Sequence, residues 1–308
     1  MSLLVVGTVA FDAIETPFGK TDKVIGGSGT YISLAASYFT KSVNIVGVVG
    51  EDFLQSDIAM FQRHGINTEG LQIKEGEKSF FWAGRYHNDL NTRDTLATDL
   101  NVLADFDPVI PDSYQDCRYL MLGNLTPEVQ QTVLNRLHNR PELVILDTMN
   151  FWMEEPFIGG LKEVIKQIDV LSINDEEARM LSGEYSLVKA ARAILAMGPK
   201  YIIIKKGEHG ALLFSDDQIF FAPALPLEEV FDPTGAGDTF AGGFIGHLAQ
   251  TEDRSFDNMK RAVIYGSAMA SYCVEKFGPE RLIGLSADAL EERVQEFIDL
   301  VQFEIDYA

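Results

Sequence analysis

Cysteine is scarce in this 308-residue chain: Cys117 and Cys273 stand far apart, and neither belongs to a CxxC pair. That spacing argues against a disulfide framework and a cysteine-based zinc site, and it fits thiols kept reduced in the cytoplasm. The five histidines show no ligand spacing, so no histidine metal centre is expected. No apolar run approaches the ~20 residues needed to cross a bilayer, and a membrane location is not expected. Met1–Val6 leads straight into an apolar segment, without the basic stretch and cleavage site of an export signal. Basic residues are also few, 25 Lys and Arg against 46 Asp and Glu, for a formal charge of −21. Such a surface repels a phosphate backbone, which argues against nucleic acid as a partner; a small anion would need a local pocket of donors. Two nucleotide signatures are missing as well. No GxxxxGK[ST] occurs, and the Gly-Ala-Gly at 235–237 is followed by Gly242 and Gly243 rather than by the GxGxxG spacing.

What is present describes a soluble α/β protein. Hydrophobic residues make up 46% and charged residues 23%, near the averages for globular chains, and the length supports a core that needs no staples. Apolar β-rich segments alternate with amphipathic ones, the pattern of a mostly parallel sheet covered by helices. Strands are expected at Leu3–Val6, Asn44–Val49, Leu143–Asp147, Val170–Ile173 and Tyr201–Lys205. Thr126-Pro127 reads as an N-cap with proline at the first helical position, opening a helix to about His138. Asp175–Leu181 reads as a helix stopped by Gly183, and Leu187–Met197 as one stopped by Gly198-Pro199. Ala10–Gly27 mixes turn residues with short apolar pieces, and Ser79–Tyr86 alternates like a strand before the polar stretch Asn88–Asn101. Together, approximately 10–27 and 79–101 are expected to form a small β-rich lid on one domain spanning 1–308.

The chemistry concentrates in Asp232-Pro233-Thr234-Gly235-Ala236-Gly237-Asp238-Thr239-Phe240-Ala241-Gly242-Gly243, after which Phe244, Ile245, Leu248 and Ala249 continue at helical spacing. Small residues at a helix entrance leave free N–H groups open to an anion, and the helix dipole favours negative charge there. A carboxylate such as Asp238 is unfavourable beside an anion hole unless the reaction needs a proton acceptor, as hydroxyl attack on a phosphoryl group does. Gly242 and Gly243 each cost a helix about 1 kcal/mol relative to alanine, so something must approach that backbone closely, either a ligand or a packed neighbour.

This run resembles the DTxGAGD motif of the ribokinase-like (PfkB-type) carbohydrate and nucleoside kinases. The resemblance implies a three-layer α/β sandwich with a mostly parallel central sheet and a β-rich lid. It implies transfer of the γ-phosphoryl group of ATP to a hydroxyl of a sugar or nucleoside, with Asp238 as the base and the amides of Gly235, Ala236 and Gly237 as the anion hole. Asp232 matches a residue beside a monovalent-cation site, which would hold K+. Further motifs follow in the family's order. Val6–Asp12 matches the opening strand and turn, where Asp12 would bind substrate hydroxyls. Gly26-Gly27-Ser28-Gly29-Thr30-Tyr31 resembles the di-glycine motif, whose glycines would let substrate approach the backbone; Tyr31 stands where many sugar kinases carry asparagine. Asn174-Asp175-Glu176-Glu177 looks like NxxE, implying that Asn174 and Glu177 organise Mg2+ around the phosphates through water; a capping box explains the same pair structurally. Lys205-Lys206-Gly207-Glu208-His209-Gly210 is similar to the strand–turn beside the nucleotide, with Lys205, Gly207 and Gly210 as contacts and lysine in place of a small polar residue at 205; Lys205 or Lys206 could pair with phosphate, or both could be surface lysines. Asp147, Asn150 and Trp152 resemble the family's D-x-N region, with roles left open. Pairing of two chains through the lid is compatible with the resemblance. Phe11, Tyr31, Phe81, Trp82 and Tyr86 could stack on a nucleoside base or pack the lid. A regulator that binds sugar or nucleotide without turnover is the alternative from another class, and a kinase assay separates them.

Overall fold

The computed structural model describes residues 2–302. Thirteen strands form two sheets: β1 Leu3–Val6, β2 Ala10–Thr16, β3 Gly19–Gly26, β4 Val43–Gly50, β5 Ile66–Lys74, β6 Phe80–Tyr86, β7 Arg93–Asp99, β8 Tyr119–Leu122, β9 Leu143–Asp147, β10 Val170–Asn174, β11 Tyr201–Lys205, β12 Ala211–Phe214 and β13 Ile219–Ala222. The larger sheet has the order β13-β12-β11-β10-β9-β8-β1-β4-β5. It is parallel from β11 to β5, while β12 and β13 attach antiparallel at one edge. The smaller sheet, β3-β2-β6-β7, is built from the two segments that fitted the layered pattern poorly. The polar stretch after Tyr86 is itself partly a strand, β7, paired antiparallel with β6.

Alternation along the central strands sorts the core into two layers, because successive side chains point to opposite faces. Leu3, Val5, Ile45, Met121, Ile145 and Ile203 face one way, against Phe240, Phe244 and Leu248 of the helix Ala236–Thr251 and Met259 and Val263 of the helix Phe256–Cys273. Leu4, Val6, Val46, Leu122, Leu146 and Ile204 face the other, against Val133, Leu161, Val164 and Ile194 from the helices Pro127–Arg136, Ile158–Ile165 and Leu187–Leu195. Each fully buried aliphatic side chain contributes roughly 1.5–3 kcal/mol of transfer free energy, which makes this double layer the main cohesive term. Helix ends follow their sequence signals: Thr126 Oγ1 accepts from the Val129 N–H with Pro127 in the first turn, and Gly183 closes the helix Asp175–Ser182 in the left-handed region.

The helix Ala236–Thr251 has neighbours on two sides. A Cβ at Gly242 would stand 2.4 Å from the Ile32 carbonyl oxygen, and one at Gly243 3.0 Å from Gly266 Cα. Helix–helix packing therefore accounts for both glycines. Gly242→Ala should lose about 2 kcal/mol, because backbone in the facing helix Ser28–Ser37 cannot withdraw like a flexible side chain and overpacking exceeds the gain in helix propensity. Gly159→Ala, where no atom lies within 4 Å, should leave stability unchanged or raise it. Thermal melts of both variants check the contrast, and equal melting temperatures would rule out the packing account.

Candidate active site

Parallel register brings the charged residues together. β9, β10 and β11 are adjacent, with Ser172 opposite Asp147 and Asn174 opposite Lys205, so three strands deliver polar groups to one carboxyl edge of the sheet, where open α/β sheets place ligands. The N-terminus of the helix Ala236–Thr251 lies against this edge: a Cβ at Gly237 would be 3.1 Å from Lys205 Nζ. Gly235 is the N-cap, at φ 75°, a left-handed conformation suited to glycine. Any Cβ there would lie 2.5 Å from three carbons of the Tyr31 ring. The Ala236 N–H turns back to the Pro233 carbonyl at 3.2 Å, whereas no such bond engages the Gly235 or Gly237 N–H among the described residues. Of the three amides expected to form an anion hole, those of Gly235 and Gly237 are thus without a backbone partner among the described residues, and that of Ala236 is engaged in the turn.

Asp238 follows in the first helical turn and is partly buried. Desolvation raises its carboxyl from 3.8 to about 7; Asp147 and Glu177 push the same way, while Lys205 and its own backbone N–H oppose. Such a group is poised to take a proton near neutral pH. Glu177 is 6% exposed and also raised to about 7, by desolvation first, with Lys205 and Arg93 opposing. It forms a reciprocal capping box with Asn174, both bonds at 2.8 Å, so the structural reading of the Asn174–Glu177 pair holds whatever else the pair does. One carboxylate oxygen carries that cap bond, and the other is left for further contacts.

Asp12, 4% exposed, lies at the second end of the site. Burial raises it to about 7, helped by Asp232 and Asp238 and opposed by the Gly27 N–H. The di-glycine turn wraps this carboxylate: a Cβ at Gly26 would overlap Asp12 Oδ2 at 1.9 Å, and one at Gly27, φ 92°, would meet the Thr8 carbonyl at 2.4 Å. The chain itself packs against these glycines closely enough to exclude a Cβ at either position, which accounts for both residues without a substrate. Thr8 and Ser28 lock the arrangement, each backbone N–H donating to the other's hydroxyl at 3.1 and 2.8 Å. Tyr31, 1% exposed, lies under the Gly235 turn among Ala35, Met269, Tyr272 and Cys273. Asp232, fully buried, accepts from the Thr234 N–H at 2.8 Å and the Gly278 N–H at 2.9 Å, clamping the chain before the Gly235 turn to the loop after Cys273.

Two contacts bring the small sheet onto the same edge. Thr234 Oγ1 donates to Tyr86 Oη at 3.2 Å, and a Cβ at Gly207 would lie 3.1 Å from Asn91 Oδ1 at the β6–β7 tip. Gly210, at φ 86°, bends the chain after Lys205 so tightly that a Cβ would stand 2.1 Å from the Ala222 carbonyl. Arg93, at the start of β7, faces Glu177 and Tyr86 closely enough to lower both. Sequence alone gives Arg93 no role beyond a place in the expected lid segment 79–101. Of the D-x-N residues, Asp147 joins the site through Lys205 at 2.6 Å. Trp152 instead donates to Asn124 at 2.7 Å and packs with Phe151 and Phe157.

Comparison with known proteins bears on this geometry. A cytidine kinase from Thermococcus kodakarensis is 30% identical over 251 residues, 80% of this chain and 87% of that protein. A ribokinase from Bacillus subtilis is 25% identical over 295 residues, covering 91% and 92% of the two chains. In three dimensions an E. coli protein provisionally named ribokinase II, solved with ATP and Mg2+, superposes with a TM-score of 0.79 at 19% identity, covering 96% of this chain and 99% of the other. Residues 2–283 match the pfkB family of carbohydrate kinases. With the sheet, the helix-entrance turn and the buried carboxylates in place, the chain belongs to the pfkB family of carbohydrate kinases, phosphotransferases that use a hydroxyl group as acceptor.

Proposed function

We propose that this chain transfers the γ-phosphoryl group of ATP to a hydroxyl of a sugar or sugar derivative. The observation that carries the reading is Asp238, a carboxyl raised to about 7 beside the open amides of Gly235 and Gly237. Asp238 accepts the hydroxyl proton, and the amides stabilise negative charge developing on the transferring group. Lys205, Gly207 and Gly210 face the nucleotide phosphates. Tyr86 and Asn91 hold the lid over the site, which keeps water from competing as acceptor.

The donor set suits Mg2+ held largely by water and phosphate: Glu177 keeps one carboxylate oxygen beyond its cap bond, and no group of three or more metal-ligating side chains occurs among the described residues. When bound, Mg2+ neutralises phosphate charge. A role for Asp232 beside K+ would use lone pairs left over from its two N–H bonds, and K+ against Na+ in the assay tests it. No helix among the described residues is long and apolar enough to cross a membrane; a cytoplasmic location stays part of the proposal. Pairing through the lid stays part of the proposal, tested by the mass in solution.

A nucleoside acceptor is the second reading, favoured by the identity to a cytidine kinase and by the half-buried Phe81 and Trp82 on β6. Coupled ADP release with a panel of sugars and nucleosides decides between them, and ADP release with none refutes both.

Asp12 should hold the acceptor, since an ionised carboxylate can take hydrogen bonds from two hydroxyls. Asp12→Ala should raise the acceptor KM about tenfold, the loss expected for a hydrogen bond to a charged group, with the ATP KM little changed. An unchanged acceptor KM would return Asp12 to a structural turn.

A further inference from the structure

Asp147 ends β9 and Lys205 ends β11, and their side chains meet across β10, Nζ to Oδ2 at 2.6 Å, with 7% and 17% of the two side chains exposed. Ser172 Oγ also donates to Asp147 Oδ2, at 3.3 Å. The ammonium has three donors, and Asp147 is its one hydrogen-bond acceptor among the described residues. Its position beside Gly237 puts a fixed cation at the positive end of a helix dipole. For the helix alone that sign is unfavourable. A buried ion pair is also a weak source of net stability, because desolvating two charges offsets their attraction. Both features become favourable once a multiply charged anion lies between the ammonium and the Gly235 and Gly237 amides.

We propose that Lys205 is a catalytic cation acting on the transferring phosphoryl group, and that Asp147 is the positioning residue that fixes its Nζ against the Gly237 turn. This rests on the kinase reading above. In the step, the acceptor oxygen bonds to the γ-phosphorus as the bond to the β–γ bridging oxygen breaks. The acceptor proton passes to Asp238, and ADP leaves with the electron pair. Lys205 transfers no proton; its charge lies over the oxygens on which negative charge is redistributed. Lys205 thus comes with a partner that aims it.

Two measurements test the pair. In the first, Lys205→Met, Asp147→Asn and the double variant are compared in turnover. Lys205→Met should lower kcat by about 100-fold, at the lower end of the range for loss of an electrostatic stabiliser. Asp147→Asn should lower it by about tenfold, and the double variant should be no slower than Lys205→Met, because the two residues act as one unit. Additive losses, or an unchanged kcat in Asp147→Asn, overturn the proposal.

The second measurement needs no turnover. Calorimetric binding of ADP and of β,γ-imido-ATP is compared between the wild type and the double variant, which leaves no uncompensated charge and keeps folding from deciding the result. Affinity for the triphosphate analogue should fall about tenfold more than affinity for ADP, as expected for losing a charge-assisted contact to the terminal phosphoryl. Equal loss for both nucleotides, or binding of neither by the wild type, overturns it. A chain that phosphorylates no acceptor yet shows the selective loss would refute the acceptor reading and its catalytic step, and would leave only the contact of Lys205 with the terminal phosphoryl group standing. A chain that turns over normally but loses both nucleotides equally would do the reverse.

Discussion

Asp238→Asn should lower kcat by about 10²–10⁴ while ATP still binds, the range for removing a positioned general base. Asparagine keeps the shape and loses the proton acceptor. The same carboxyl also fixes how activity and stability respond to pH, and in opposite directions. Its pKa in the fold is about 7 against an ordinary value of 3.8, so catalysis by the ionised form should fall as pH drops below 7. For stability, a carboxyl raised on folding binds its proton more tightly in the native state than in the unfolded chain. It therefore works against the fold fully above pH 7, and progressively less as pH falls toward the unfolded value. Asp12 and Glu177, each raised to about 7, act in the same sense. Relative to the wild type, Asp238→Asn should be as stable or more stable at pH 8, with the difference gone near pH 4. An aspartate that merely capped the helix would instead cost about 1 kcal/mol of stability and leave kcat nearly intact. Rates and melting temperatures at both pH values separate the two roles, and a less stable but fully active variant would sink the base assignment.

Parts of this arrangement were legible in the sequence because local rules and the global fold agree there. Leu143–Asp147 and Tyr201–Lys205 are short apolar runs that end in a charge, which marks them as buried strands delivering a polar group at the sheet edge. β7 was read as a polar stretch for an equally physical reason. Arg93–Asp99 is exposed along nearly its whole length, and alternation shows only where one face of a strand is buried. Tyr119–Leu122 is the converse case, four residues buried on every side with no alternation to read. At the site, the Gly-Ala-Gly-Asp turn was legible as a helix entrance of small residues with a carboxylate in its first turn, since both properties are local. The meeting of Asp147, Lys205 and Glu177 was not legible from local patterns; only the family resemblance put Lys205 and Glu177 beside the same nucleotide. Those residues lie 58 and 30 positions apart through pairings set by β9, β10 and β11 lying side by side, and single-residue patterns carry no information on which parallel strands become neighbours. The same limit applies to Tyr31, whose match to a sugar-binding position says nothing of the ring lying beneath residue 235.

That ring makes Gly235→Ala the second variant with a large expected effect. Alanine in the left-handed region is strained by roughly 1–2 kcal/mol. Its Cβ would also lie 2.5 Å from three ring carbons of Tyr31, a contact that real packing does not contain. The ring has nowhere to go, being buried to 1% exposure among Ala35, Met269 and Cys273. The turn must shift instead, carrying the Gly235 and Gly237 amides away from the position of the transferring group. Misplacement on the order of 1 Å costs about 10² in rate when catalysis depends on aimed donors, so kcat should fall by that factor. The double variant Gly235→Ala with Tyr31→Ala removes the ring that forces the shift and should recover part of the lost kcat, although its core is weaker and its melting temperature lower. If Gly235→Ala turns over like the wild type, the amides are not the anion hole. If the double variant recovers nothing, backbone strain rather than the Tyr31 contact displaces them.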